Sequence, residues 1–236
     1  MSHSPIFHAF CKAFPYTLPI FAGFWFVGLG YGLYMTISGF SFWYPFFMAM
    51  IIFGGSLEFI TVSMLLSPFA PLATAVVAFM VQARHLFYGI SMLEIYKDMG
   101  WKKPFLIFWL CDETFALNHT VTPPTGVDRG WFYFFISLLN YLYWVTGSLV
   151  GGLMGNILSA FDLSGLEFIM TAMFVVIFTE HMLHEKQKIT AAVGFFAAVL
   201  SLLLFGADNF MLPAMVLILL GLTVLRAPIA KRGEYE

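Results

Sequence analysis

Seven apolar stretches of membrane-spanning length dominate the chain: 17–39, 45–66, 72–95, 131–158, 166–183, 188–206 and 210–226. Each reaches the roughly 17–25 residues that a helix needs to cross a ~30 Å hydrocarbon core. An eighth stretch, 104–118, is shorter and is interrupted by Asp112 and Glu113. Lipid offers no partner to an open strand's backbone, so every stretch reads as helix. The rest of the composition agrees. Only 10% of residues are charged, against roughly 25% in soluble domains, and mean hydropathy is +0.88. The fold class expected is therefore an all-α polytopic membrane protein. A net charge of −2 gives no electrostatic case for nucleic acid. Pro15 and Pro19 interrupt the N-terminus, so residues 5–14 read as a short interfacial helix rather than a secretory signal.

A repeat runs through the chain. "GSLEFITVSML" (55–65) resembles "SGLEFIMTAMF" (164–174), Leu33-Tyr34 falls on Leu142-Tyr143, and "TAVVAF" (74–79) meets "TAAVGF" (190–195). Three ordered blocks describe one permease domain, 1–236, with three-element units at about 17–95 and 131–206. A hairpin segment, 104–118, links the units and a final helix, 210–226, follows them. Lys/Arg clusters test the topology, because they favour the cytoplasm. If 45–66 and 159–183 are broken elements that return to the side they entered, then Lys12, Lys97/Lys102/Lys103, Lys186/Lys188 and Arg226/Lys231/Arg232 share one side. Only Arg129, beside Asp128, is then left outside. On that arrangement the second unit is inverted with respect to the first. Gly54-Gly55 lies mid-run, where each glycine costs about 1 kcal/mol in a continuous helix. "SGLE" (164–167) is a Ser-x-x-Glu capping box at a helix start, and "GSLE" (55–58) is its counterpart. The expected breaks are thus Gly54–Ser56 and Asp162–Gly165.

Polar residues inside the apolar stretches are the candidate site. Arg84 lies about 18 Å along a helix from Leu72, near mid-depth. A charge there needs a partner or a wet cavity. Asp112 and Glu113 come to matching depth, because their segment and that of Arg84 leave the same basic loop. Such a pair either locks two helices or forms part of a charge or proton pathway. His85 sits with Gln82 and Gly89 on a polar, small stripe, as a structural or a proton-carrying ring. Glu58 lies within one turn of the proposed helix start. Free N–H groups there, at Ser56–Leu57, could hold a carboxylate while Glu58 meets an ammonium, with Gly55 and Phe59 completing the candidate substrate site. The alternative is that Glu58 only closes the cap, and Glu167 reads mainly as a cap. "EHMLHE" (180–185) has two His but no evident third ligand, so it reads as a solvated helix end rather than a zinc site. Cys11 and Cys111 form no metal or redox motif. No spacing argues catalysis, and no nucleotide-binding motif or cofactor is implied.

"QARHLFYGIS" (82–91) and "CDETFAL" (111–117), with "TLPIFAGFWFVGLGYG" (17–32) and "GGSLEF" (54–59), resemble the AzlC family, the large subunit of bacterial branched-chain amino acid exporters. The family often has Gln where this chain has Glu58, and Thr where it has Cys111. The resemblance implies an efflux permease of the bacterial plasma membrane for apolar amino acids. It also implies a small hydrophobic partner of the AzlD type. Two rival classes stand beside this: a membrane-embedded enzyme using His85 with a carboxylate, and a channel subunit.

Overall fold

The computed structural model describes residues 4–158, 175, 179 and 188–225. It comprises two compact units, Met1–Ile169 and Met170–Glu236. In the first, α1 (Pro5–Ile37) is followed by α2 (Trp43–Ile51), α3 (Ser56–Leu66), α4 (Pro71–Gln82) and α5 (Arg84–Met92). A 3-10 turn, Gly100–Lys102, leads into α6 (Lys103–Phe108), α7 (Asp112–Thr120) and α8 (Arg129–Leu158). In the second, α9 (Lys188–Asn209) and α10 (Met211–Val224) pack together, with Val193 against Gly221. The described residues are helical throughout their regular structure. Among the described residues, two helices are long and apolar enough to cross a membrane, or three if the bent pair α4–α5 is one span. The expected second break at Asp162–Gly165, the Glu167 cap, the His pair at 180–185 and the basic residues Lys186, Arg226, Lys231 and Arg232 lie outside the described residues.

The first unit is built on α1 and α8, which run parallel. Phe10 meets Phe135 and Phe24 meets Trp144. Further along, Thr36 Oγ1 donates to Gly152 O at 3.2 Å. Small residues let the two backbones touch, which is how helices associate where lipid removes the hydrophobic drive. A Cβ at Gly28 would stand 2.9 Å from the Trp144 carbonyl, and one at Gly155 would stand 2.6 Å from Thr36 Cβ. At Gly32 and Gly151 an added carbon would strike the Ser148 and Leu29 carbonyls outright. This packing also corrects the N-terminal expectation. Residues 5–14 are no separate interfacial helix, because α1 is continuous through Pro15 and Pro19. It starts on the Ser4 hydroxyl, which accepts from Phe7 N–H, with Pro5 in the first turn, and contacts with α8 hold the proline-containing turns in line.

The stretch 45–66 is broken where the sequence places the break. Helix α2 ends at Ile51 and α3 begins at Ser56, with Phe53 (φ 44°) and Gly55 (φ 50°) in the left-handed region between them. Pro45 and Phe42 lie by Gly152, near one end of α8, whereas Phe53 lies against Phe24 and Tyr141, well back along both long helices. One turn into α3, Phe59 touches Tyr31 and Tyr34. These contacts turn α3 back toward the end from which α2 came. Helices α4 and α5 are bent by 50° at Ala83.

The stretch 104–118 does not cross. Trp101 meets Trp131, Trp109 reaches Tyr141, and α7 climbs back, with Asn140 Nδ2 on Thr114 Oγ1 at 3.1 Å and Tyr133 OH on Val121 O at 3.2 Å. Helices α6 and α7 are therefore a second re-entrant hairpin, entering from the end opposite to the first. This corrects the topology read from charge. Arg129 is not alone on the far side: its Nη2 donates to Ile95 O at 2.8 Å, and Lys102 Nζ sits 4.5 Å from the Trp131 ring. It shares the end that carries Lys12, Lys97, Lys102 and Lys103. Since α8 starts there, as α1 does, these first elements of the two sequence units are parallel, not inverted. The basic end is sealed by Ala13, Met92, Tyr96, Leu106, Phe132 and Ile136.

Candidate functional site

Three helix breaks meet near mid-depth: the tip of α2–α3, the bend of α4–α5 and the tip of α6–α7. Gln82 Nε2 donates to Gly54 O at 3.0 Å, tying the bend to the first tip. The approach is so close that a side-chain carbon on Gly54 would collide with that amide. Arg84 Nη2 donates to Ser56 Oγ at 3.0 Å, and Arg84 Nη1 pairs with Asp112 Oδ2 at 2.8 Å. The first charged residue of α5 thereby joins the first residues of α3 and α7. Asp112 at a helix N-terminus also meets the positive end of the α7 dipole. The Arg84 and Asp112 side chains are 42% and 39% exposed, so the pair is open to its surroundings rather than sealed between helices.

The two carboxylates of "DETF" have separate fates. Arg84 takes Asp112, while Glu113, half-buried, forms no ion pair with it. His85 is half-buried beside them. Its ring packs on Tyr88, which stacks on Phe115 of α7 at 4.4 Å. Three buried polar side-chain atoms on these residues have no partner among the described residues: Gln82 Oε1, His85 Nδ1 and Asp112 Oδ1. An unmet buried polar atom costs about 1–3 kcal/mol, so three on one junction leave it with unused hydrogen-bonding capacity.

Glu58 is elsewhere in kind. It is fully buried. Its Oε1 accepts from Gly54 N–H at 2.8 Å, and Trp144 Nε1 donates to Oε1 and Oε2 at 3.1 and 3.0 Å. The N–H groups of Leu57 and Glu58 are bonded to Gly54 O and Gly55 O. The start of α3 thus holds the chain's own carboxylate, in the place where the sequence reading put an incoming one. Phe59, also buried, packs between Tyr31 and Tyr34. Of Gly55, Ser56, Glu58 and Phe59, only Ser56 reaches the open cluster through its side chain.

Sequence reasoning missed Trp144 as the partner of Glu58 and Gln82 as the bridge between breaks. It also missed Asn118 and Asn140. Asn118 Nδ2 donates to Tyr96 OH at 2.8 Å and Ser137 Oγ at 3.2 Å, and the two Asn residues tie α7 to α8. Amides in otherwise apolar helices were the signal that could have found them. Among the described residues no His/Cys/Asp/Glu group is arranged to hold a metal.

Long apolar helices together with interrupted ones that meet around charged side chains define the class as a polytopic helical membrane protein. The chain belongs to the AzlC protein family, whose sequence model matches residues 19–158, from α1 through α8. It is 51% identical to the branched-chain amino acid transport protein AzlC of Bacillus subtilis over 97% of this chain and 89% of that one. It is 44% identical to an uncharacterized membrane protein of Haemophilus influenzae, over 94% of this chain and 91% of the other. A Helicobacter pylori membrane protein is 39% identical over 92% of this chain and 95% of its own length. No solved structure matches the chain. The family is one of transport proteins, which sets aside the enzyme reading of His85.

Proposed function

We propose that the chain is the large subunit of a bacterial plasma-membrane carrier that exports branched-chain and other apolar amino acids in exchange for protons. One observation carries this reading: the half-exposed Arg84–Asp112 pair stands where three broken helices meet. A zwitterion has the same two charges as that pair and can open it. The substrate carboxylate takes Arg84 and the Ser56 hydroxyl. The ammonium takes Asp112, with the unpartnered Gln82 Oε1 and the His85 ring beside it. When the site empties, Arg84 and Asp112 pair again, so neither charge is left bare. Glu58 serves by fixing the α3 start from within its Trp144 cage, with Gly55 giving the turn and Phe59 wedging α3 against α1. His85 and Glu113, next to the pair, are the proton-carrying groups. The relative named as a branched-chain amino acid transport protein supports the substrate class.

The wider arrangement belongs to the same reading. The whole chain is one permease domain with duplicated units at about 17–95 and 131–206, the segment 104–118 between them and the helix at 210–226 last. The basic end faces the cytoplasm, because within 4–158 it carries every Lys and Arg except mid-depth Arg84. A small AzlD-type membrane subunit completes the carrier.

Counterflow in liposomes tests this, using the purified chain with and without a co-expressed small subunit. Leucine is compared with 4-methylpentanoate, which lacks the ammonium, and 3-methylbutylamine, which lacks the carboxylate. Each lost charge removes a charge-assisted bond of about 1.5–3 kcal/mol, so each analogue should compete roughly 10- to 150-fold less well. An imposed pH gradient should drive leucine uphill. Equal competition by either analogue contradicts the zwitterion site, and indifference to the gradient contradicts proton exchange.

A further inference from the structure

A cavity of about 240 Å³ opens beside the bend at Ala83, between α4–α5 and α6. Its wall is apolar at Phe79, Leu86, Ile107 and Leu110 and polar at Gln82 and His85. Phe79, Leu86 and Ile107 are exposed and form its rim, while Leu110 is buried. The polar edge comes from the same bend of α4–α5 that carries Arg84, with Gln82 and His85 on either side of Ala83 and Arg84 in the chain. On that edge Gln82 Oε1 is an unpartnered acceptor, and His85 Nδ1 is a second polar atom without a partner. A molecule that fits both parts carries an N–H donor at one end and a branched or linear hydrocarbon at the other. The volume lies below the roughly 300–1,000 Å³ of pockets for drug-sized ligands, which suits a single amino acid.

Gly89 also lines the cavity. It lies in α5, and a Cβ built there meets nothing within 4 Å. It therefore leaves space that no neighbour fills. Gly32 and Gly151 differ, since each is forced by a backbone pressed against it. A glycine inside a helix is unfavourable relative to alanine, and no backbone contact requires this one.

We propose that this cavity is the side-chain pocket of the substrate site and that Gly89 sets the largest side chain it admits. The proposal rests on the amino acid carrier reading and deepens it. The α-ammonium lies at the Gln82–His85 edge toward Asp112, and the side chain runs along Leu110 and past Gly89. A Cβ at Gly89 enters the pocket without meeting the fold, so Gly89→Ala changes selectivity rather than assembly.

The test is competition counterflow with the full carrier, comparing leucine with alanine for wild type, Gly89→Ala and Gly89→Leu. Gly89→Ala should lower the leucine-to-alanine preference a few-fold. Gly89→Leu should lower it tenfold or more, with alanine transport kept. Phe79→Ala, which widens the rim, should raise competition by phenylalanine. A wild type that carries leucine, with the same leucine-to-alanine ratio in both Gly89 variants, overturns the pocket and leaves the carrier reading standing. A wild type that carries neither amino acid overturns both. If Gly89→Leu does not fold, Gly89→Ala decides alone: an unchanged ratio overturns the proposal.

Discussion

Glu58 and Arg84 meet the cost of a charge in an apolar setting in opposite ways. Glu58 is shut in with its donors, whereas Arg84 is left half open with a single carboxylate. The closed cage makes a stability prediction. Glu58→Gln replaces one accepting oxygen with an N–H₂ that faces the Trp144 Nε1–H donor, and Trp144→Phe removes that donor from the carboxylate. Each change should destabilise by about 1–2 kcal/mol, within the range for a buried polar group left unmet. The double variant should cost less than the sum by at least ~0.5 kcal/mol, as contacting residues do. Unfolding free energies in detergent measure this, and strict additivity would contradict the cage. The Arg84–Asp112 meeting was legible in the sequence, because two segments leaving one loop reach matching depths. The Glu58–Trp144 meeting was not. It depends on the parallel register of α1 and α8, which no local pattern records.

One helix break was legible because a glycine pair marks it; the kink at Gly206 (φ 73°) inside α9 and the bend in α4–α5 were not. Gly54-Gly55 announced the first tip. The bend in α4–α5 has no such mark, since "VQARHL" contains no Gly or Pro. It is made by tight i to i−3 bonds, Ala83 N to Met80 O and Leu86 N to Ala83 O, and held by side-chain ties from Gln82 and Arg84 to the neighbouring tip. Conversely, Pro15 and Pro19 looked like punctuation and are carried inside a continuous helix. The close approach of α1 and α8 gives the prediction at this scale. Gly151→Ala drives a methyl into the Leu29 carbonyl, whereas Gly23→Ala meets nothing within 4 Å. Gly151→Ala should lose at least the ~1–3 kcal/mol typical of overpacking, and Gly23→Ala should be neutral or slightly stabilising. Thermal unfolding of the two purified variants checks the contrast. Equal stability would mean that the two helices are not pressed together at Gly151.

In the first unit, re-entrant hairpins from opposite ends bring their tips to one bent helix. The break in the first hairpin was legible from its glycine pair. The direction of the second hairpin was not, because a short stretch with two acids reads equally as a crossing or a return. Its return is decided by aromatic and amide contacts to α8 that lie far apart in sequence. The central claim is that this junction receives the substrate between Arg84 and Asp112. Ser56, bonded to Arg84, tests it with both charged side chains kept. In a chain carrying Cys11→Ser and Cys111→Ser, Ser56→Cys places one thiol beside the Arg84 guanidinium. The rate at which a small hydrophilic thiol reagent labels it is then measured in liposomes. Saturating leucine should slow labelling tenfold or more, 4-methylpentanoate and 3-methylbutylamine should not, and Arg84→Gln should abolish the protection. Labelling at the same rate with and without leucine, in a protein that still carries leucine, would contradict the account.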